Sequence, residues 1–492
     1  MTNDHVSIPK KKLKFLAFSP MFGRSHTTWM GTLSDLLIDA GHEVVMFAPV
    51  FYPMGSGHGS KKARVIEFPQ CAAAKARQEA SKKAGGTLSS YWTSRGTIGS
   101  WEAFKPMKLA MIEQCKEILA DTELLDRLRA EQFDAAFTET VDLCCVAIIH
   151  ALGIKSYAMT ISVPTYDWGF SVTGMPAVPS YVPCLMTSFS DRMSFWERRE
   201  NLMALEYSRK FIDDVYILYD EAIKPRLPDY PGTENMVARS SFIFLNTDPL
   251  FDFPRPTVHK VIEIGGITVD VKPVALDAKF DDILNLRKKT VFISFGSVVP
   301  SVLMPEQWKK TLIETFKAFP EVTFLWKYEQ PEDELLKGVD NLVAVEWAPQ
   351  VDLLRVPMLV IPVVGDQYRN SQLLKRMGSA EVFDKFDLDC PVKLSTAIKD
   401  ALNNTNFKIA AVRNSEMLRN RPFAMSEIFV RNMEFMAEYG PLDGLDHYGR
   451  QLSFSAYYNL DVIAYEIGKK LSLATIVLGA IGLGAWKLWR RN

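Results

Sequence analysis

At 492 residues the chain is too long for one ordinary domain and long enough for two large cores with an appendage. Its 57 basic residues against 58 acidic ones leave a formal net charge of −1, which speaks against the basic face that a nucleic-acid partner needs. The six cysteines (Cys71, Cys115, Cys144, Cys145, Cys184, Cys390) form no CxxC pair and have no histidine at metal-ligand spacing, so most read as buried thiols.

In chain order, Lys10, Lys11, Lys12 and Lys14 make a basic start, and the apolar run Leu13 to Phe18 ends at Pro20, too short for a signal-peptide core. No cleavable signal is visible. KLKFLAF reads as a strand; Met30, Leu33, Leu36, Leu37 and Ala40 follow at helical spacing, Gly41 caps, and EVVMFA is the next strand. The rhythm returns with the strand Phe133 to Phe137, an apolar helix from Leu143 to Leu152, Gly153 and the strand Ser156 to Ile161. Alternation of this kind predicts a parallel, doubly wound sheet. Residues 71–96, small and polar, and residues 164–183, rich in Pro, Gly and Tyr, read as surface excursions. After the proline-spaced linker FDFPRPTVHK a second βα series begins near residue 260. VFISF is expected as a buried strand, Pro305 opens a helix, and TFLWKY, LVAVEW and MLVIPVV are further strands, the last ended by Gly365. From about 392 the pattern is helical. Leu471 to Trp486 carries no charge and precedes Lys487, Arg490 and Arg491, which predicts a terminal membrane-spanning helix; its shortness keeps a buried core helix as the alternative.

In open α/β sheets ligands bind beyond the carboxyl ends of the strands, and four places qualify. His26 lies between the first strand and its helix, where a neutral imidazole could act as a general base, or simply cap the helix. Glu139 follows the strand FDAAF in the same sheet and could fix the His26 tautomer; a solvated carboxylate is the plainer reading. Gly296-Ser297 makes a small-residue turn after VFISF that could offer backbone N–H groups to a phosphate. Trp347 and Gln350 in WAPQ, with Asp366-Gln367 after the next strand, could stack on a base, read its amide edge and bind sugar hydroxyls, although Trp347 alone would be explained by core packing.

The order SFGS, TFLWKY, WAPQ, DLL, VIPVVGDQYRN and a late YGRQLSF before the terminal helix resembles the UDP-glycosyltransferase family, of the UDP-glucuronosyltransferase type and nematode-like. The resemblance extends from KFLAFSPMFGRSH through FPRPTVHKVIEIGGI to the terminal segment. It implies two Rossmann-like domains facing a cleft (GT-B type): an acceptor-binding domain at 1–255 and a UDP-sugar-binding domain at 256–440. Helices at 441–470 would pack back on the first, ahead of a transmembrane helix at 471–489 and a basic tail at 490–492. The family mechanism implies that His26 deprotonates an acceptor hydroxyl, with Glu139 where many members carry an Asp, and that the anomeric carbon is attacked with inversion. Trp347 and Gln350 match uridine-binding positions, Ser297 a phosphate contact, and Asp366 and Gln367 sugar-hydroxyl contacts. UDP-sugar is the co-substrate, a small lipophilic molecule the acceptor, and no cofactor or metal is implied. Membrane lipid and a homo- or hetero-oligomer are the other partners it implies, at the endoplasmic reticulum.

The sequence departs from the family between DLL and VIPVVGDQ, where a strand, a His-Gly-Gly turn and a helix bearing a ribose-binding Glu are normally found. Leu354 instead runs through Arg355 into Val356, so roughly one strand–helix unit of a ~30-residue motif is absent. Two expectations follow: an active transferase whose sequence misses an exon, or a catalytically inactive chain that acts as a membrane-bound partner of intact relatives. A sequon at Asn403-Asn404-Thr405, usable only in a lumen, bears on topology.

Overall fold

The computed structural model describes residues 11–51, 57–83, 88–164, 167, 172–269, 277–296, 299–348 and 357–490. Ser297 and Gln350 lie outside these residues. The N-terminal unit is built on one parallel sheet of β1 (Lys14–Phe18), β2 (Glu43–Pro49), β3 (Arg64–Phe68), β4 (Ala135–Glu139), β5 (Tyr157–Ile161), β6 (Phe242–Leu245) and β7 (Val261–Glu263). The strand order is β3-β2-β1-β4-β5-β6-β7. Every ladder is parallel, as the βα alternation predicts. β4 and β5 are buried along their whole length, because helices cover both faces of the central strands.

Among the described residues the C-terminal unit has the strands β8 (Lys289–Ile293), β9 (Val322–Lys327), β10 (Leu342–Val345), β11 (Met358–Val360) and β12 (Ala380–Val382). They make two separate sheets among the described residues, β10-β9-β8 and β11-β12. The break falls between the strands that flank the abrupt Leu354–Val356 junction. Among the described residues β8 is at an edge, and Val291, Phe292 and Ile293 are only partly buried, which corrects the expectation of a buried strand for VFISF. β11 is three residues long, shorter than the run MLVIPVV suggests. A single core still spans both sheets, with Phe316, Phe324, Trp326, Val363, Val364 and Phe383 inside it.

Two further expectations are corrected. The stretch 71–96 is not a surface excursion: helices run Ala72–Lys83, Leu88–Thr93 and Gly96–Glu102, and Trp92 is fully buried in the C-terminal core. Its indole N–H donates to Pro300 O at 3.2 Å, and its ring meets Phe295 edge-on at 4.9 Å. The polar composition misleads because the burying surface belongs to the other unit. Among the cysteines, Cys115 and Cys144 form a disulfide inside the N-terminal core, while Cys145 and Cys184 are buried thiols.

The units are also tied by a helix, Met425–Tyr439, whose Phe429, Met433 and Met436 are buried against Phe15, Phe137 and Phe244 of the first sheet. The chain ends in a helix from Leu460 to Trp489, with a mean hydropathy of 1.7 over its most apolar window and no buried residue. It is long and apolar enough to cross a membrane, and its exposure removes the buried-core alternative.

Candidate active site

β1, β4 and β5 are adjacent and parallel, so their carboxyl ends open onto one edge of the sheet. Each delivers one side chain there. His26 sits in the first turn of the helix Arg24–Asp39, which β1 feeds through Gly23. Glu139 is the last residue of β4 and is fully buried. Ser162 comes directly after β5. The His26 Nδ1 atom lies 2.6 Å from the Ser162 hydroxyl and 3.4 Å from Glu139 Oε2. Neither Glu139 oxygen has a hydrogen-bond partner among the described residues. Glu139 is therefore beside His26, and the short contact belongs to Ser162, a residue the sequence reading missed. The signal was available, since Ser162 occupies the same strand-end position as Glu139.

Behind this edge a second buried group assembles. The Lys108 ammonium donates to Val141 O, and burial pushes its pKa down to about 8 against the pull of Asp142 and Glu139. Asp142 is pushed up to about 6 by burial, although it accepts hydrogen bonds from Cys144 N (3.0 Å) and the Tyr219 hydroxyl (2.8 Å). Apolar side chains stand over His26: the Phe22 ring is 4.2 Å from the imidazole, in a cluster with Phe51, Met111 and Val141.

From the C-terminal unit, Asp366 stands at the start of the helix Gln367–Arg376, after Gly365 at φ +65°. Burial raises its pKa, and the charges of His26 and Arg369 and a hydrogen bond from Asn370 (2.7 Å) oppose the shift. The charge of His26 thus acts on Asp366 from the other unit. Gln367 is turned inward, its Oε1 accepting from Val363 N at 2.8 Å and Val364 N at 3.3 Å. Trp347 is 49% exposed, with the Arg24 guanidinium 3.7 Å above its ring centroid. Gly296 adopts φ +79°, a left-handed turn that favours glycine, and its amide donates to Ser294 Oγ at 3.3 Å. Among the described residues no group of three or more His, Cys, Asp or Glu side chains could hold a metal ion.

The profile of the family described as UDP-glucoronosyl and UDP-glucosyl transferase matches residues 16–358 and 355–491. The chain belongs to that family. The two matched stretches meet at 355–358, where the C-terminal sheet is divided. Similar relatives include the Caenorhabditis elegans protein ugt-48, 28% identical with 92% of this chain and 91% of that protein covered. The human UDP-glucuronosyltransferase 3A2 is 27% identical over 97% and 94% of the two chains, and the mouse UDP-glucuronosyltransferase 1A7 is 25% identical over 95% and 91%.

Solved structures of similar fold include the glycosyltransferase of kitacinnamycin, with TM-score 0.56, 13% identity and coverage of 87% of this chain and 99% of that one. Another is the spinosyn forosaminyltransferase SpnP, with TM-score 0.55, 15% identity and coverage of 87% and 100%. At such identities the likeness concerns the fold, the two-domain GT-B arrangement in which the β1-β4-β5 edge faces the C-terminal unit. The family and this fold together make the chain a glycosyltransferase by descent.

Proposed function

We propose that the site is built for inverting transfer of a glucuronosyl or glucosyl group from a UDP-sugar to the hydroxyl of a small lipophilic acceptor. The observation that carries this reading is the His26 imidazole whose Nδ1 atom meets both Ser162 and Glu139 at the carboxyl ends of adjacent parallel strands. A carboxylate 3.4 Å from Nδ1 favours the proton there, and Nδ1–H then donates to the Ser162 hydroxyl. Nε2 is left unprotonated and takes the acceptor proton as the oxygen attacks the anomeric carbon and UDP departs. Glu139 stabilises the imidazolium formed in that step. Trp347 receives the uracil ring; Asp366 accepts from sugar hydroxyls, and Gln367 can add its amide N–H₂, since its oxygen is already engaged. Gln350 and Ser297 complete the base and phosphate contacts in this reading.

A second reading, a catalytically inactive chain that partners intact relatives in the membrane, is favoured by one specific observation: the donor-side sheet is split where a strand–helix unit is missing. The decisive assay uses membranes containing the full chain, UDP-glucuronic acid or UDP-glucose, and a lipophilic phenol. Turnover that disappears in His26→Ala supports the first reading; turnover retained in that variant removes His26 from the chemistry. No turnover and no UDP binding at millimolar concentration leaves the second reading standing.

The reading places the chain as a single-pass protein of the endoplasmic reticulum, with both units in the lumen. It is supported by the Cys115–Cys144 disulfide, which needs an oxidising compartment, and by the exposed sequon at Asn403. A glycosidase-sensitive mass shift that is lost in Asn403→Gln is the expected outcome.

A further inference from the structure

Arg24 and Trp347 make a contact that the transfer chemistry does not use. Arg24 is exposed at the first position of the helix that carries His26, and Trp347 follows β10 in the other unit. The guanidinium lies 3.7 Å over the indole centroid, within the range of a direct cation–π interaction. Among the described residues no carboxylate pairs with Arg24, so the ring is its strongest attachment. About half of the Trp347 surface is exposed, and Arg24 sits over a face of its ring.

We infer that Arg24 occupies the nucleobase shelf on Trp347 and must be displaced when the base of the donor stacks there. This inference rests on the reading of Trp347 as the base platform. Two planar groups cannot share one face of an indole at van der Waals distance, so base and guanidinium bind in competition. Because Arg24 is two residues from His26, its release also frees the first turn of the catalytic helix from the C-terminal unit. Arg24 is thus a donor-gating residue: the cleft is latched across Trp347 when no base is present, and occupancy of the shelf is reported to the helix bearing the base.

The test uses the full chain and uridine, which carries the base without the diphosphate that the missing segment would cradle. Radical footprinting read by mass spectrometry reports oxidation of Trp347, and calorimetry reports uridine binding. In Arg24→Ala, Trp347 oxidation should rise and uridine should bind roughly two- to fivefold more tightly than in the unsubstituted chain, with Arg24→Lys between the two. Unchanged oxidation of Trp347 in Arg24→Ala overturns the latch. Increased oxidation with unchanged or weaker uridine binding overturns the competition. The base reading is checked separately by Trp347→Ala: uridine binding that survives it, or binding absent from every variant, removes the platform itself, and the exchange falls with it. Binding lost in Trp347→Ala but unaltered in Arg24→Ala sinks only the exchange.

Discussion

The two sheets of this molecule are built from the same kind of unit and end differently. In the N-terminal unit the seven parallel strands among the described residues form one uninterrupted ladder, and its central strands are buried throughout. In the C-terminal unit the described strands divide into three and two, and the edge strand β8 is partly exposed along its length. The sequences of β4 and β8 are both apolar enough for a sheet centre. What separates them is whether a neighbour exists to receive their backbone groups, and that depends on a crossover. Between β10 and β11 only the twelve residues 346–357 are available, the minimum for one parallel crossover, which leaves no length for a further strand and its helix. Burial of a strand is thus set by the segments around it as much as by its own residues.

The contrast can be tested from its largest consequence downward. Amides of β4 and β5 should exchange with solvent only through global unfolding, while those of β8 and β11 should exchange on the order of 10³-fold faster through local opening. Equal protection of the two regions by mass-resolved exchange would show that the divided sheet is as cooperative as the complete one. Next, Trp92→Ala should destabilise the C-terminal unit by about 3–5 kcal/mol, although the residue belongs to the N-terminal chain segment, because it empties a site in the core beside Phe295 and Trp308. A loss confined to the N-terminal unit in domain-resolved denaturation would contradict this packing. Replacing both Cys115 and Cys144 by Ala should cost the N-terminal unit roughly 2–4 kcal/mol, through loss of a link across 29 residues, and leave the C-terminal transition in place.

The smallest effect expected is on pH dependence. Asp167 accepts from Ser208 (2.9 Å) and Leu185 N (3.1 Å), yet burial pushes its pKa up to about 6. A folded-state pKa above the unfolded value of about 4 means that the folded chain holds this proton after the unfolded chain has lost it. Its stabilising contribution is therefore full below about pH 4 and is lost as the pH rises through about 6, by at most roughly 3 kcal/mol. Thermal denaturation between pH 4.5 and 7.5 should show the decline, and Asp167→Asn should flatten it; a slope unchanged in the variant would assign the titration to another group, with Asp142 next in line.

Much of the site was legible before any coordinates. Position at the carboxyl end of a strand singled out His26 and Glu139, and the structure brings them to 3.4 Å. The same rule covers Ser162, which directly follows β5. Gln367 shows where such reading ends: its type suits a sugar hydroxyl, and its oxygen is held by Val363 N and Val364 N, a local loop geometry that no spacing encodes. Trp92 shows the other limit, since a polar neighbourhood in sequence says nothing of an apolar surface supplied 200 residues later.

The sequence by itself determined the parallel α/β class, the order of the donor-side motifs, the absence of a strand–helix unit after Leu354 and the apolar helix at the end, because each is a matter of local periodicity or of motif order. Only the tertiary structure decided that the C-terminal sheet divides at that junction, that Cys115 meets Cys144, that Ser162 rather than Glu139 makes the short contact to His26, and that Arg24 lies on Trp347. These are contacts between residues far apart in the chain, and their energies depend on which surfaces the two folded units present to one another.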